Sequence, residues 1–122
     1  MTPAASGANS IIFRTLARGF RNIVVALFPA GTVSYTIKFV KSNQDSMPDF
    51  SAAVSATNQW EYVEVVDLND GSAIDGTTGV ALSATTTRSF EYNNNTAQWV
   101  GIVCTVYSTG TISGNALLAD NK

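Results

Sequence analysis

The chain of 122 residues contains no histidine, one cysteine and three prolines, and only 13% of its residues are charged. Each shortage excludes something. Without histidine there is no Ser-His-Asp or Cys-His catalysis, no imidazole metal site and no imidazole pH switch. Cys104 alone cannot form an internal disulfide or a cysteine-rich metal site. The charged fraction lies well below the usual ~25%, which suggests that part of the surface is covered by other subunits. No run of 18 apolar residues occurs, so no transmembrane helix is expected. What is present is apolar: 45% of the residues, too many for intrinsic disorder. A chain of this length makes one domain, able to bury a core without disulfides or metal. The composition points to a binding or structural module rather than an enzyme.

Charge is unevenly spread. Residues 1–41 carry Arg14, Arg18, Arg21, Lys38 and Lys41 and no acid, whereas residues 42–122 carry all nine acids against Arg88 and Lys122. Either the basic segment docks on an acidic neighbour, such as another copy, or folding interleaves the halves and the asymmetry has no spatial meaning. The acidic isoelectric point of 4.8 argues against nucleic acid as a partner.

Period-two patterning dominates. Residues 1–9 are small and polar and read as an arm. Residues 10–20 fit neither a clean helix nor a clean strand; we assign 1–20 to an N-terminal arm and 21–122 to a single domain. Ile23–Ala30 has the look of a signal-peptide core but is short, contains Pro29 and starts late; it reads better as a buried strand. Pro29-Ala30-Gly31 is a turn signal, making a hairpin with Thr32–Lys41, where Val33, Tyr35, Ile37 and Phe39 share one face. Residues 42–58 form a long connection with one helical turn expected near Phe50–Val54. Gln59–Leu68 is β-rich, with a bulge expected near Val65–Val66. Short strands follow at Val80–Ala84 and Arg88–Tyr92. Trp99–Tyr107 is apolar on both faces and predicts a central strand, after which Thr109-Gly110 turns into Thr111–Leu117. Seven or eight short strands without a long helix define an all-β fold, an antiparallel β-sandwich or jelly roll.

Few constellations carry chemistry. Asp67, Asn69, Asp70 and Asp75 resemble a calcium loop, but the glycine comes one place early and no bidentate Glu follows; a plain turn fits better. Glu61 and Glu64 have opposite parity on a strand and cannot act as a carboxylate pair there. Cys104 reads as a buried core thiol. Trp60, Tyr62, Tyr92 and Trp99 are either core or a sugar-stacking platform. No catalytic residue, metal ligand or cofactor site is expected.

The runs Asp49–Ala53, Asn58–Val63 and Asp67–Gly79, the Phe90-Glu91 strand with its Asn-rich turn, and Trp99-Val100 leading to a Thr-Gly-Thr segment resemble small virion proteins of tailed bacteriophages. The resemblance spans roughly Phe20–Ile112; the Arg-bearing N-terminus departs from it. It implies a β-sandwich that decorates or cements the capsid, sits on the virion's capsid surface and stabilises the head. Its partners would be the major capsid protein and copies of itself, without nucleic acid or membrane. The alternatives are a tail or fibre component, structural or receptor-binding, and a carbohydrate-binding module. Ile11, Ile12, Phe13, Arg14, Arg18 and Arg21 are the candidate partner contacts; the other reading makes them the domain's first strand.

Overall fold

The computed structural model describes residues 10–82, 86–93 and 95–121. Eight strands follow one another: β1 Ser10–Leu16, β2 Phe20–Ser42, β3 Glu61–Tyr62, β4 Val65–Asp67, β5 Ala73–Ile74, β6 Val80–Leu82, β7 Arg88–Tyr92 and β8 Trp99–Asn121. No helix occurs among the described residues, and every strand pairing is antiparallel.

Two strands of 23 residues each organise the rest. β2 and β8 pair from Phe20↔Asn121 to Ser42↔Trp99, with a shift of register between Ala30 and Ser34. Straight, Arg21 and Ser42 would lie ~70 Å apart on such a strand. Yet the carbonyl of Arg21 accepts from Asn95 N–H at 2.7 Å, and that of Ser42 accepts from Gln98 N–H at 3.1 Å. Residues 95 and 98 are separated by about 10 Å at most. The ribbon therefore doubles back at its middle, and each long strand lends one half to each of two layers. One layer holds the second half of β8, the first half of β2, then β7, β4 and β5; the other holds β1, the first half of β8 and the second half of β2, whose outer edge pairs with β6 and β3. The fold is a β-sandwich, as its alternation predicts.

The two expected hairpins do not form. Pro29-Ala30-Gly31 lies inside β2 and Thr109-Gly110 inside β8, and the two runs face each other across the ladder, Pro29 opposite Ile112 and Ser34 opposite Thr109. Residues that make turns also make bulges and bends. Proline is tolerated there because β2 has no strand on its outer edge between Leu27, paired with β7, and Tyr35, paired with β6, among the described residues.

Between the layers lies the main core. Ile23, Val25 and Leu27 from one half of β2 meet Tyr35, Ile37 and Phe39 from the other, with Phe90, Tyr92, Val100, Ile102 and Cys104. Phe39 and Phe90, from opposite layers, have ring centroids 5.0 Å apart. The Tyr92 hydroxyl donates to the Gly101 carbonyl at 2.6 Å, tying β7 to β8 across the core. The two faces read for Trp99–Tyr107 are both buried over Val100–Cys104, as expected. Val100, Ile102 and Cys104 point into the main core, while Val103 joins Val40 and Phe50 in a second cluster on the outer face. The connection after β2 makes that cluster by laying Phe50 over Gly101, where a Cβ would sit 2.7 Å from the ring and from the Phe13 carbonyl. The helical turn expected at Phe50–Val54 is a simple turn. The bulge expected at Val65–Val66 is a break before it: β3 pairs with β2 in one layer and β4 with β7 in the other, so the chain changes layers at 63–64.

Residues 10–16 are a strand, not an arm. β1 pairs with β8 from Ser10↔Cys104 to Leu16↔Trp99, and Ile12 is 4% exposed in the main core. The domain therefore begins before residue 21; residues 1–9, also read as arm, lie outside the described residues.

Buried Asn95 holds the closed end of the sandwich. Its amide donates to the carbonyls of Ala17, Phe20 and Ala97 at 3.0–3.2 Å, and its Oδ1 accepts from Ala97 N–H. Asn95→Ala leaves these groups without that partner and is expected to cost about 2–3 kcal/mol, read as a lower urea midpoint at unchanged m-value. Burial raises the Tyr92 pKa well above 10.0. The unfolded chain thus releases this proton first, so Tyr92's contribution to stability is full below pH ~10 and falls as pH rises beyond it. Tyr92→Phe is expected to flatten that alkaline loss, measured by urea titrations across the pH range.

Candidate interaction surface

The six candidate contacts do not form one surface. Ile12 belongs to the core and is withdrawn as a partner contact. Phe13 is half-buried against the same core and Ile11 against the outer cluster, a split produced by the register shift between Ile11 and Phe13. Arg14 is half-buried, its guanidinium donating to the Pro48 carbonyl at 3.0 Å, so it braces the long connection. Arg18 and Arg21 are exposed at and beside the β1–β2 turn, which Gly19 closes with φ 89°.

The aromatic residues build structure. Tyr92 is buried. Trp60 meets Tyr62 at 5.4 Å with planes 88° apart, and Phe50 at 6.2 Å with planes 86° apart. Sugar stacking needs faces presented in one plane, and these rings pack edge to face. Their indole nitrogens serve the loop: Trp60 donates to the Ala52 carbonyl and Trp99 to the Gln44 carbonyl. The connection is further pinned by Ser42, whose hydroxyl donates to the Gln59 carbonyl, and by Asn58, whose amide donates to the carbonyls of Asp49 and Ala53. Asp49 accepts from Ser51, and that hydrogen bonding lowers its pKa.

The acidic segment is turn chemistry. Asp67 is buried, pairs with Arg88 at 2.7 Å and caps Asn69 N–H; Asp70 caps Ser72 N–H and Asp75 caps Thr77 N–H, both at 2.9 Å. Each carboxylate serves its own turn rather than converging on a common point, and no metal-holding group of three acidic or sulfur side chains occurs among the described residues. Glu61 is tied to Lys41 at 3.4 Å. Cys104 is buried in the core.

Exposed apolar residues are the remaining feature. Met47 and Val54 project from the long connection. Phe28 and Leu117 project from the paired halves of β2 and β8, at 39% and 64% exposure. There Val24 lies opposite Leu117, and Phe28 opposite Ser113. Such surface binds by area and shape. Sequence reasoning passed over this face because Thr111–Leu117 looks like an ordinary short strand; only its pairing makes it a border.

No family model and no curated protein matches the sequence. Among solved structures the chain is similar to the crystal structure of the SPBc2 prophage-derived protein YomS, with a TM-score of 0.62 and 12% identity, covering 95% of this chain and 87% of that one. The likeness is one of fold and extends over nearly the whole of both chains.

Removing the Asp67 charge strands Arg88 beside the core. Asp67→Asn is expected to destabilise by about 3 kcal/mol, read from the urea midpoint. Millimolar calcium is expected to leave the melting temperature of the unaltered protein unchanged; a rise would restore the calcium loop.

Proposed function

We propose that this chain is a non-enzymatic structural protein of a tailed-phage virion, a decoration or cement protein that binds the outer capsid surface and stabilises the head. The observation that carries the reading is the fold shared with a prophage-derived protein over 95% of the chain. The sequence resemblance to small phage virion proteins points the same way. The surface suits the role: few charges, Asp67, Asp70 and Asp75 committed to turns, and exposed Phe28, Leu117, Met47 and Val54. A shell under pressure from packaged DNA is strained between capsomers. A rigid sandwich bridging them adds buried apolar area, worth ~25 cal/mol per Å². Arg18 and Arg21 supply charge complementarity to acidic capsid residues. The partners are the major capsid protein and further copies of the chain.

Electron microscopy of the particle, with copy number, tests this. The expected result is density on the outer lattice at one or a few copies per capsomer. A single ring of copies at the tail would make it a tail or fibre component instead, and absence from purified particles would end the virion reading.

A further inference from the structure

The edges of the sandwich are unlike one another. β3, β5 and β6 have two or three residues, and short edges offer a foreign strand little to pair with. β1 carries Arg14, anchored on the Pro48 carbonyl. β8 is different. Its pairing with β1 stops at Cys104, while its pairing with β2 continues to Asn121. From Ile112 to Ala119 no strand lies along its other edge among the described residues. This segment, ISGNALLA, has neither charge nor proline, and Ser113–Leu117 are exposed on both faces. Among the described residues none of the usual devices that blunt an edge is present. Beside it, Ile12, Phe13, Val25, Leu27, Ile112 and Gly114 line an apolar notch of about 110 Å³.

We propose that this edge joins two copies of the chain, pairing β8 with β8 antiparallel about a twofold axis so that one layer of the sandwich continues across the dimer. A bare strand edge is complementary to another strand, and pairing with its own copy closes at two. The lack of charge lets identical segments meet without like-charge opposition. Val24 and Leu117 share the outer face, so its apolar surface runs on across the axis. Ala116 and Leu118, opposite the core residues Val25 and Ile23, bring apolar groups of the incoming strand to the notch side. Eight residues make an edge about 27 Å long. Pairing along it buries less than the ~1,600 Å² of a standard interface, so the dimer is weak and forms with rising concentration. The inference stands on the edge alone and does not need the virion.

Analytical ultracentrifugation of the full chain over a concentration series, with amide hydrogen exchange at the low and high ends, tests it. The mass is expected to rise toward twice that of the chain, and amides 112–119 to gain protection in step. Leu117→Lys, at an exposed position, is expected to weaken dimerisation at least about tenfold with an unchanged circular dichroism spectrum. Asn115→Lys, also exposed, is read the same way should the first variant not fold. A monomer at every concentration overturns the proposal. So does a dimer in which amides 112–119 are unchanged, protection of those amides that ignores concentration, or dimerisation indifferent to the lysines.

Discussion

The sandwich depends on one two-stranded ribbon folding over on itself. Laid flat, β2 and β8 would show water an apolar stripe along both halves, from Ile23, Val25 and Leu27 to Ile37 and Phe39. Bending at Ala30–Ser34 against Thr109–Thr111 presses the two halves of that stripe together. The core is therefore largely the ribbon packed on its own continuation. The bend also returns both ends of β2 to one place, where residues 95–98 hydrogen-bond to Arg21 and Ser42. That is why one amide side chain, Asn95, can hold the β1–β2 turn and the approach to β8 together. Of the remaining strands, β1, β3, β6 and β7 pair directly with the ribbon, β4 pairs with β7 and β5 with β4.

The parts of this legible in the sequence are those with local causes. Alternation places Tyr35, Ile37 and Phe39 on one face, and apolar residues at both parities mark the start of β8, Val100–Cys104, as covered on both sides; the main core and the Val103 cluster are those two covers. Asx-type turns at Asp67, Asp70 and Asp75 follow from their residues. What was not legible depends on partners far along the chain. Proline and glycine at 29–31 signal a change of direction, but the strand bends rather than reverses and pairs with β8 before and after the bend, where Pro29 lies opposite Ile112, distant in sequence. A register shift between Ile11 and Phe13 puts Ile12 and Phe13 against the same core, which removes the alternation by which β1 would have been read as a strand. Nothing local shows that Asn95, at the end of a run of asparagines, is buried.

The contact residues show the same division. Ile12 and Arg14 looked available because a basic, apolar segment before the first clear strand resembles a tether. The structure spends Ile12 on the core and Arg14 on the Pro48 carbonyl. Arg18 and Arg21 remain at the surface because a turn closed by Gly19 carries them out of the sheet. The aromatic residues read as a sugar platform are not laid out flat, for a related reason. Tyr92 is in the main core, and Trp60 meets Tyr62 at 88° and Phe50 at 86°, which leaves these rings no shared plane.

The folded ribbon also explains why one border of the sandwich is bare among the described residues. Folding a pair of strands makes each of them serve both layers, so each side of the ribbon presents two edges. On the β2 side both are covered, by β7 in one layer and by β6 and β3 in the other. On the β8 side the described residues supply only β1, which is seven residues long and lies along one layer. Among the described residues the second half of β8 is thus an edge by topology, whatever its sequence. In this chain it is plain. A contact of that size is weak between free molecules, yet on a lattice that already holds neighbours close, the same pairing acts at a raised effective concentration. An uncharged edge that is tolerable in dilute solution then becomes a cohesive contact where copies are arrayed, which is the physical link between the proposed dimer and the proposed place on a virion surface.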